Sequence, residues 1–137
     1  MEKTLKTIEP YSTLNMKLED EEDEDSIAMS ITLDGNLNDK KTMFAGSIYS
    51  VMVLAGWTLA YKTINGVNTD YNLVISESSV KYRIPVKSDA KAVASIRESL
   101  KDVKNGKKSI TISVNLFDAS KNICASFVGE YIGIKKS

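Results

Sequence analysis

The sequence predicts an α+β domain in which one long apolar helix is wrapped by a curved antiparallel sheet of about six strands. Three observations predict it. From Thr42 to Tyr61 the chain carries no charged side chain, and its apolar residues fall on every side of a helical wheel. On both flanks of that segment, apolar and polar residues alternate with the period of two that marks half-buried strands. The chain has 137 residues, enough for a single domain to bury a core without covalent staples. One domain spanning residues 1–137 is expected.

The elements follow in order. Met1 to Pro10 alternates charges with isolated apolar residues and has no apolar core segment, so no signal peptide is expected. Leu14, Met16 and Leu18 alternate with Asn15 and Lys17, which predicts a first strand. Ile27, Met29, Ile31 and Leu33 alternate with Ala28, Ser30 and Thr32, which predicts a second. Between them, residues 19–25 read EDEEDED, a solvated hairpin tip. The run lacks the glycine and spaced ligands of a calcium loop, and no metal is expected. Asp34 to Lys41 (DGNLNDKK) has turn chemistry.

The helix is expected over about residues 43–63, with Thr42 as its N-cap and Asn65-Gly66 as its stop. Its length would suffice to span a membrane. Gly46, Ser47, Ser50, Gly56 and Thr58 dilute its hydrophobicity, and its flanks are amphipathic strands. A helix buried on all sides is the better reading. Four strand-like runs follow: Leu73 to Val86, then Ala92-Ala94-Ile96, then Ile110-Ile112-Val114-Leu116, and last Ile123 to Ile132. Asn105-Gly106 and Asp118 to Asn122 are the turns between the last three. A flat sheet cannot cover a helix on all sides, but a sheet that curls can. Two strands, a long helix, then four strands around it is the order of the hotdog fold. Such a sheet leaves an edge that a second copy can cover, so a homodimer or a dimer of dimers is expected.

Charge and composition exclude several chemistries. The chain has 18 basic and 18 acidic residues, but seven of the acids are the run at 19–25. The remainder is basic enough to receive a phosphorylated ligand. No stripe of basic residues with interleaved aromatics is present, so a nucleic-acid partner is not expected. Cys124 is the single cysteine, which excludes an intramolecular disulfide and suits a reducing, cytoplasmic location. There is no histidine. Serine-histidine and cysteine-histidine pairs, histidine metal sites and histidine bases are therefore excluded. Carboxylates, hydroxyls, lysines and backbone dipoles remain, and no cofactor is expected.

The stretch NDKKTMFAGSIYSVMVLAGW, Asn38 to Trp57, resembles the putative thioesterase family found as the C-terminal domain of YiiD-type proteins. Asn38-Asp39-Lys40, Phe44-Ala45-Gly46-Ser47 and Leu54-Ala55-Gly56-Trp57 stand in the places of that family's motifs. Glu77, Ser78 and Pro85 match its third strand, where Ile84 replaces an arginine. The resemblance implies a hotdog enzyme acting on acyl-coenzyme A or acyl-carrier-protein thioesters, with no membrane partner. The chain departs from other hotdog enzymes in two ways. Val51 to Leu54, where thioesterases often carry an acid, is wholly apolar, and the histidine of hotdog dehydratases is absent.

Thioester hydrolysis needs a group that stabilises the oxyanion and one that activates water. The helix start at Phe44, Ala45, Gly46 and Ser47 offers free N–H groups and the positive end of the dipole, and Gly46 permits close approach. Asp39, just before the helix, is the first candidate base, and Asn38 is placed to orient water or ligand. An ordinary turn is the plainer reading of both. Glu77 is second. Strand parity puts it with Lys81 and Arg83, where an ion pair is the plainer reading unless a bulge turns the strand. Ser78 shares the opposite face with Val80 and Tyr82, as an acyl-pocket residue or a small core hydroxyl. Lys40, Lys41, Lys81, Arg83 and Lys87 are candidates for coenzyme A phosphates, though most lysines are simply solvated. Cys124 reads as a buried inert thiol, and Trp57 and Phe44 as core. The expected function is an acyl-thioester hydrolase. Its rival is a module that binds an acyl thioester or fatty acyl chain without cleaving it.

Overall fold

A computed structural model describes residues 1–19, 23, 25–67 and 71–136. Two short helices, α1 (Glu2–Leu5) and α2 (Glu9–Thr13), precede the strands β1 (Met16–Leu18) and β2 (Ser26–Ile31). The long helix α3 (Ala45–Val67) follows. Then come β3 (Tyr71–Tyr82), β4 (Ala90–Val103), β5 (Lys107–Phe117) and β6 (Ile123–Lys135). The strands form one antiparallel sheet in the order β1-β2-β4-β5-β6-β3. It curls around α3, which packs against β2 through β6. This is the hotdog arrangement that the strand and helix patterns predict. The tip of the β1–β2 hairpin, residues 20–22 and 24, lies outside the described residues.

The period-two pattern sets which face meets the helix. Ile27, Met29 and Ile31 of β2, Ile110, Ile112, Val114 and Leu116 of β5, and Phe127 and Tyr131 of β6 are buried. They pack with Val51, Met52, Ala55, Leu59 and Ile64 of α3 in one core. Each such aliphatic side chain contributes roughly 1.5–3 kcal/mol when fully withdrawn from water. β4 offers only Ala90, Ala92 and Ala94 at its buried positions there. Small side chains on that strand let the helix backbone lie close to the sheet.

Three features differ from the sequence expectation. First, α3 is not buried on every side. Gly46, Tyr49, Ser50, Val53, Trp57 and Tyr61 are half-buried and lie three or four residues apart, on one stripe. The sheet covers the opposite side of α3, while Ile8, Pro10 and Met16 meet part of the stripe across an apolar cleft of about 200 Å³. Trp57 and Tyr61 cover part of the remainder by stacking on each other, ring centres 5.0 Å apart. Of this partial cover, Met16 belongs to the predicted first strand, whereas Ile8 and Pro10 lead into and form α2, which carried no legible pattern. Pro10 stands in the first turn of α2, and Leu5 and Tyr11 are buried.

Second, the helix begins later and ends later. The Met43 N–H donates to the Val86 carbonyl and the Phe44 N–H to the Asn36 carbonyl. The Phe44 carbonyl is the first to accept helical bonds, from Ser47 and Ile48. Thr42 is therefore not the cap, and its hydroxyl accepts from Asn38 Nδ2 instead. Asn65-Gly66 does not stop the helix, which continues to Val67. Third, β4 extends well beyond Ile96. Irregular pairing with β5 on both sides of Glu98 breaks the alternation that would have marked it. Among the described residues, no helix is long and apolar enough to cross a membrane.

Candidate active site

The loop before α3 is closed on itself by Asn38. Its Oδ1 accepts the N–H groups of Lys40 at 2.8 Å and Thr42 at 3.0 Å, and its Nδ2 donates to Thr42 Oγ1 at 2.9 Å. A bridge between Leu37 and Met43 closes the base of the loop. Both ends of the Asn38 side chain are thus engaged within the loop. Asp39 stands on the outside of the turn. Its side chain is 83% exposed, and among the described residues it meets Lys40 Nζ, at 3.2 Å.

At the start of α3, the N–H groups of Ala45 and Gly46 have no acceptor among the described residues. Phe44, read as core from the sequence, is 55% exposed. Met43 and Phe44 leave the loop with backbones tied in opposite directions, and Met43 takes the buried place. The Phe44 ring folds back over Gly46, so closely that a Cβ there would strike it. Ser47 is buried. A cavity of about 310 Å³ opens at this helix end, lined by Asn38, Thr42, Met43, Ala45, Ile48 and the segment Tyr82 to Val86. No carboxylate among the described residues lines it. The Tyr82 hydroxyl donates to the Ala45 carbonyl at 3.2 Å. Burial, and then the neighbouring Tyr49, hold the Tyr82 phenol above its ordinary value, so it remains a donor at neutral pH.

β3 does carry a bulge, between Ile75 and Glu77. Beyond it, Ser78 and Tyr82 turn to the helix side. Tyr49 Oη and Ser78 Oγ are 2.6 Å apart, and the Tyr49 ring meets Phe127 edge-on. Glu77 turns to the opposite face of the sheet. It stands across from Glu130, in a groove of about 330 Å³ shared with Glu98 and Lys101. The bulge precedes Glu77, so the parity from Glu77 to Tyr82 is undisturbed and the residue is not brought to the helix start. The ion pair expected with Lys81 or Arg83 is not formed. Among the described residues, the ion pairs are Lys40–Asp39 and Lys108–Asp102. Glu130 accepts from the hydroxyls of Ser109 (2.7 Å) and Ser76 (3.0 Å), which hold its carboxyl below the usual range.

Cys124 is buried, and burial together with nearby Asp118 pushes its thiol up to about 11. A buried thiol held protonated in this way is a poor nucleophile. No group of three or more Cys, Asp or Glu side chains among the described residues is placed to hold a metal ion. The sequence reading missed Tyr49 and Tyr82. A signal for Tyr49 was present, since it falls one helical turn beyond Ala45 on a helix otherwise poor in hydroxyl-bearing aromatics.

Known structures share this arrangement. A putative thioesterase from Shewanella oneidensis is 26% identical, superposes with a TM-score of 0.83, and the match covers 97% of this chain and 93% of that one. A thioesterase from Haemophilus influenzae is 13% identical over 96% of this chain and 87% of its own, with a TM-score of 0.83. The PaaI protein of the E. coli phenylacetic acid degradation operon is 13% identical over 99% and 91%, with a TM-score of 0.80. At 13% identity the latter two establish the fold alone. The family model described as putative thioesterase (yiiD_Cterm) matches residues 2–135, nearly the whole chain. With its curled six-stranded sheet, its central helix and that match, the chain belongs to the yiiD C-terminal putative thioesterase family.

Proposed function

We propose that the protein hydrolyses acyl thioesters carried on coenzyme A or on an acyl carrier protein, with the thioester carbonyl held at the start of α3. The observation that carries this reading is the free N–H groups of Ala45 and Gly46 beside a largely apolar cavity that Ala45 itself lines. Backbone donors at a helix start, fixed before the reaction, stabilise the oxyanion formed when water adds to the carbonyl. Collapse of that intermediate expels the thiolate. Asp39 serves as the base. It adjoins Asn38, which lines the cavity, and Asn38 acts as a positioning residue by fixing the loop that carries it. Phe44 and Ser47 flank the oxyanion site, and Ser78 with Tyr49 faces the acyl chain. Glu77, on the other face of the sheet, takes no part within one chain.

The protein acts as a homodimer joined along β3. That strand is 12 residues long, ends the sheet with an edge that is unpaired among the described residues, and leaves Val74 and Tyr82 exposed. A long exposed strand edge is a template for pairing with a second copy.

The absence of a carboxylate from the cavity wall favours a second reading, a module that holds an acyl thioester without cleaving it. Assaying release of free thiol from a panel of acyl-coenzyme A and acyl-carrier substrates decides between them. Hydrolysis by the parent, reduced in Asp39→Asn by roughly the hundred- to ten-thousand-fold typical of a lost general base, supports the first. Binding of these substrates with no thiol released from any of them establishes the second.

A further inference from the structure

The outer face of the sheet, away from α3, is electrically divided. At one end Glu77, Glu98 and Glu130 line a groove with Lys101. At the other, Lys81, Arg83 and Arg97 line a second groove of about 310 Å³ together with Ser126. Ser79 and Val128 belong to both, so the two grooves adjoin. The register explains the order, since successive outward rungs pair Glu77 with Glu130, Ser79 with Val128 and Lys81 with Ser126. Arg97 enters from β4 at the irregularity between Ile96 and Glu98.

None of the three cations has a carboxylate partner among the described residues. Three uncompensated charges around one cavity repel one another, and a bound anion relieves that repulsion. Arg83 is also oriented. Its Nε donates to Ser126 Oγ at 3.2 Å, and that hydroxyl donates to Asn115 Oδ1 at 3.0 Å. The terminal N–H groups of the guanidinium have no acceptor among the described residues, and such a pair matches phosphate oxygens. The same Arg83 lines the cavity at the start of α3. One side chain therefore borders both spaces.

We infer that this groove binds the phosphate groups of coenzyme A. The nucleotide end of the substrate lies on the outer face of the sheet, and the pantetheine arm passes Arg83 to reach the start of α3. The second half of that path rests on the thioester-hydrolase reading, whereas the anion site does not. The neighbouring carboxylates repel a polyanion and confine it to the basic end.

The test uses the full chain, with Lys81→Gln, Arg83→Gln and Arg97→Gln made singly and together. All three side chains are exposed, so the variants should fold, and circular dichroism checks that they do. Adenosine 3′,5′-bisphosphate carries phosphates of the coenzyme but no thioester, and its binding is followed by calorimetry at two salt concentrations. The parent should bind it more weakly at higher salt. Each single variant should lose roughly tenfold, and the triple variant should not bind. In hydrolysis, KM should rise more for acyl-coenzyme A than for acyl-pantetheine, which lacks phosphate. Equal losses on the two substrates overturn the inference, as does bisphosphate binding that is absent in the parent or unchanged in the triple variant. Loss of acyl-carrier hydrolysis without bisphosphate binding assigns the groove to a carrier protein and likewise overturns it. Bisphosphate binding that depends on the three cations, in a protein that cleaves no thioester, upholds the anion site and overturns the hydrolase reading alone.

Discussion

The hydroxyl of Tyr131 occupies the place that a side chain on Gly56 would take. Tyr131 is fully buried in β6 and donates to the Val53 carbonyl of α3 at 2.7 Å, fixing the helix against the sheet at mid-length. Gly56→Ala should therefore destabilise the fold by about 1–3 kcal/mol through overpacking. Tyr131→Phe removes the obstructing oxygen. The double variant should lose less than the sum of the single losses in thermal denaturation, and strict additivity would exclude the contact.

Cys124 gives a prediction in pH. Its thiol is shifted from 9.0 to about 11 by burial. Between those values the folded chain keeps a proton that the unfolded chain has released, so stability should fall as pH rises through that window. Cys124→Ala should flatten that limb of the stability–pH curve. Thiol reagents at neutral pH should modify the protein only after denaturation, and rapid labelling of the native protein would contradict the burial.

Glu130 shifts the other way, its carboxyl held down by the hydroxyls of Ser109 and Ser76. Its contribution is present above the ordinary carboxylate range and is lost as pH falls through the lowered folded value. Ser109→Ala should raise the Glu130 titration observed by NMR. It should also cost more stability at neutral pH than under acid conditions.

The free edge of β3 leads to a prediction on assembly. Light scattering should report a dimer at micromolar concentration, and Val74→Lys, which puts a charge at an exposed edge position, should shift it toward monomer. A monomeric parent would remove the dimer from the reading.

The pH profile of activity should show no step in the imidazole range, since the chain contains no histidine. Asp39→Asn should reduce turnover far more than Glu77→Gln does. The reverse order would move the base to the other face of the sheet, onto a partner's strand.

The architecture was legible because its signals are local. The charge-free run from Thr42 and the alternation in β2 and β5 need no knowledge of neighbours. What was not legible depends on tertiary contacts. The helix start moved from Met43 to Ala45 because Val86, distant in sequence, and Asn36, across the loop, take the Met43 and Phe44 N–H groups. β4 was cut short at Ile96 because the irregular pairing around Glu98 disguises its period. At the candidate site, the motif located the helix start and the loop before it. It could not reveal that Asn38 spends both ends of its amide within the loop, nor that Tyr49 on the helix meets Ser78 on β3.

Phe44 sets a timescale. Its ring lies over Gly46 yet is more than half in solvent. Exposed side chains change rotamer in picoseconds to nanoseconds. A shutter of that kind opens roughly a million times or more within the millisecond that a domain closure would occupy. Rotation of the Phe44 ring is then not the slow event in reaching the helix start. If the proposed hydrolysis is slow, the delay belongs to the chemistry or to release of the thiol. A smaller side chain at position 44 would make the proposed oxyanion site wetter without making it faster to reach.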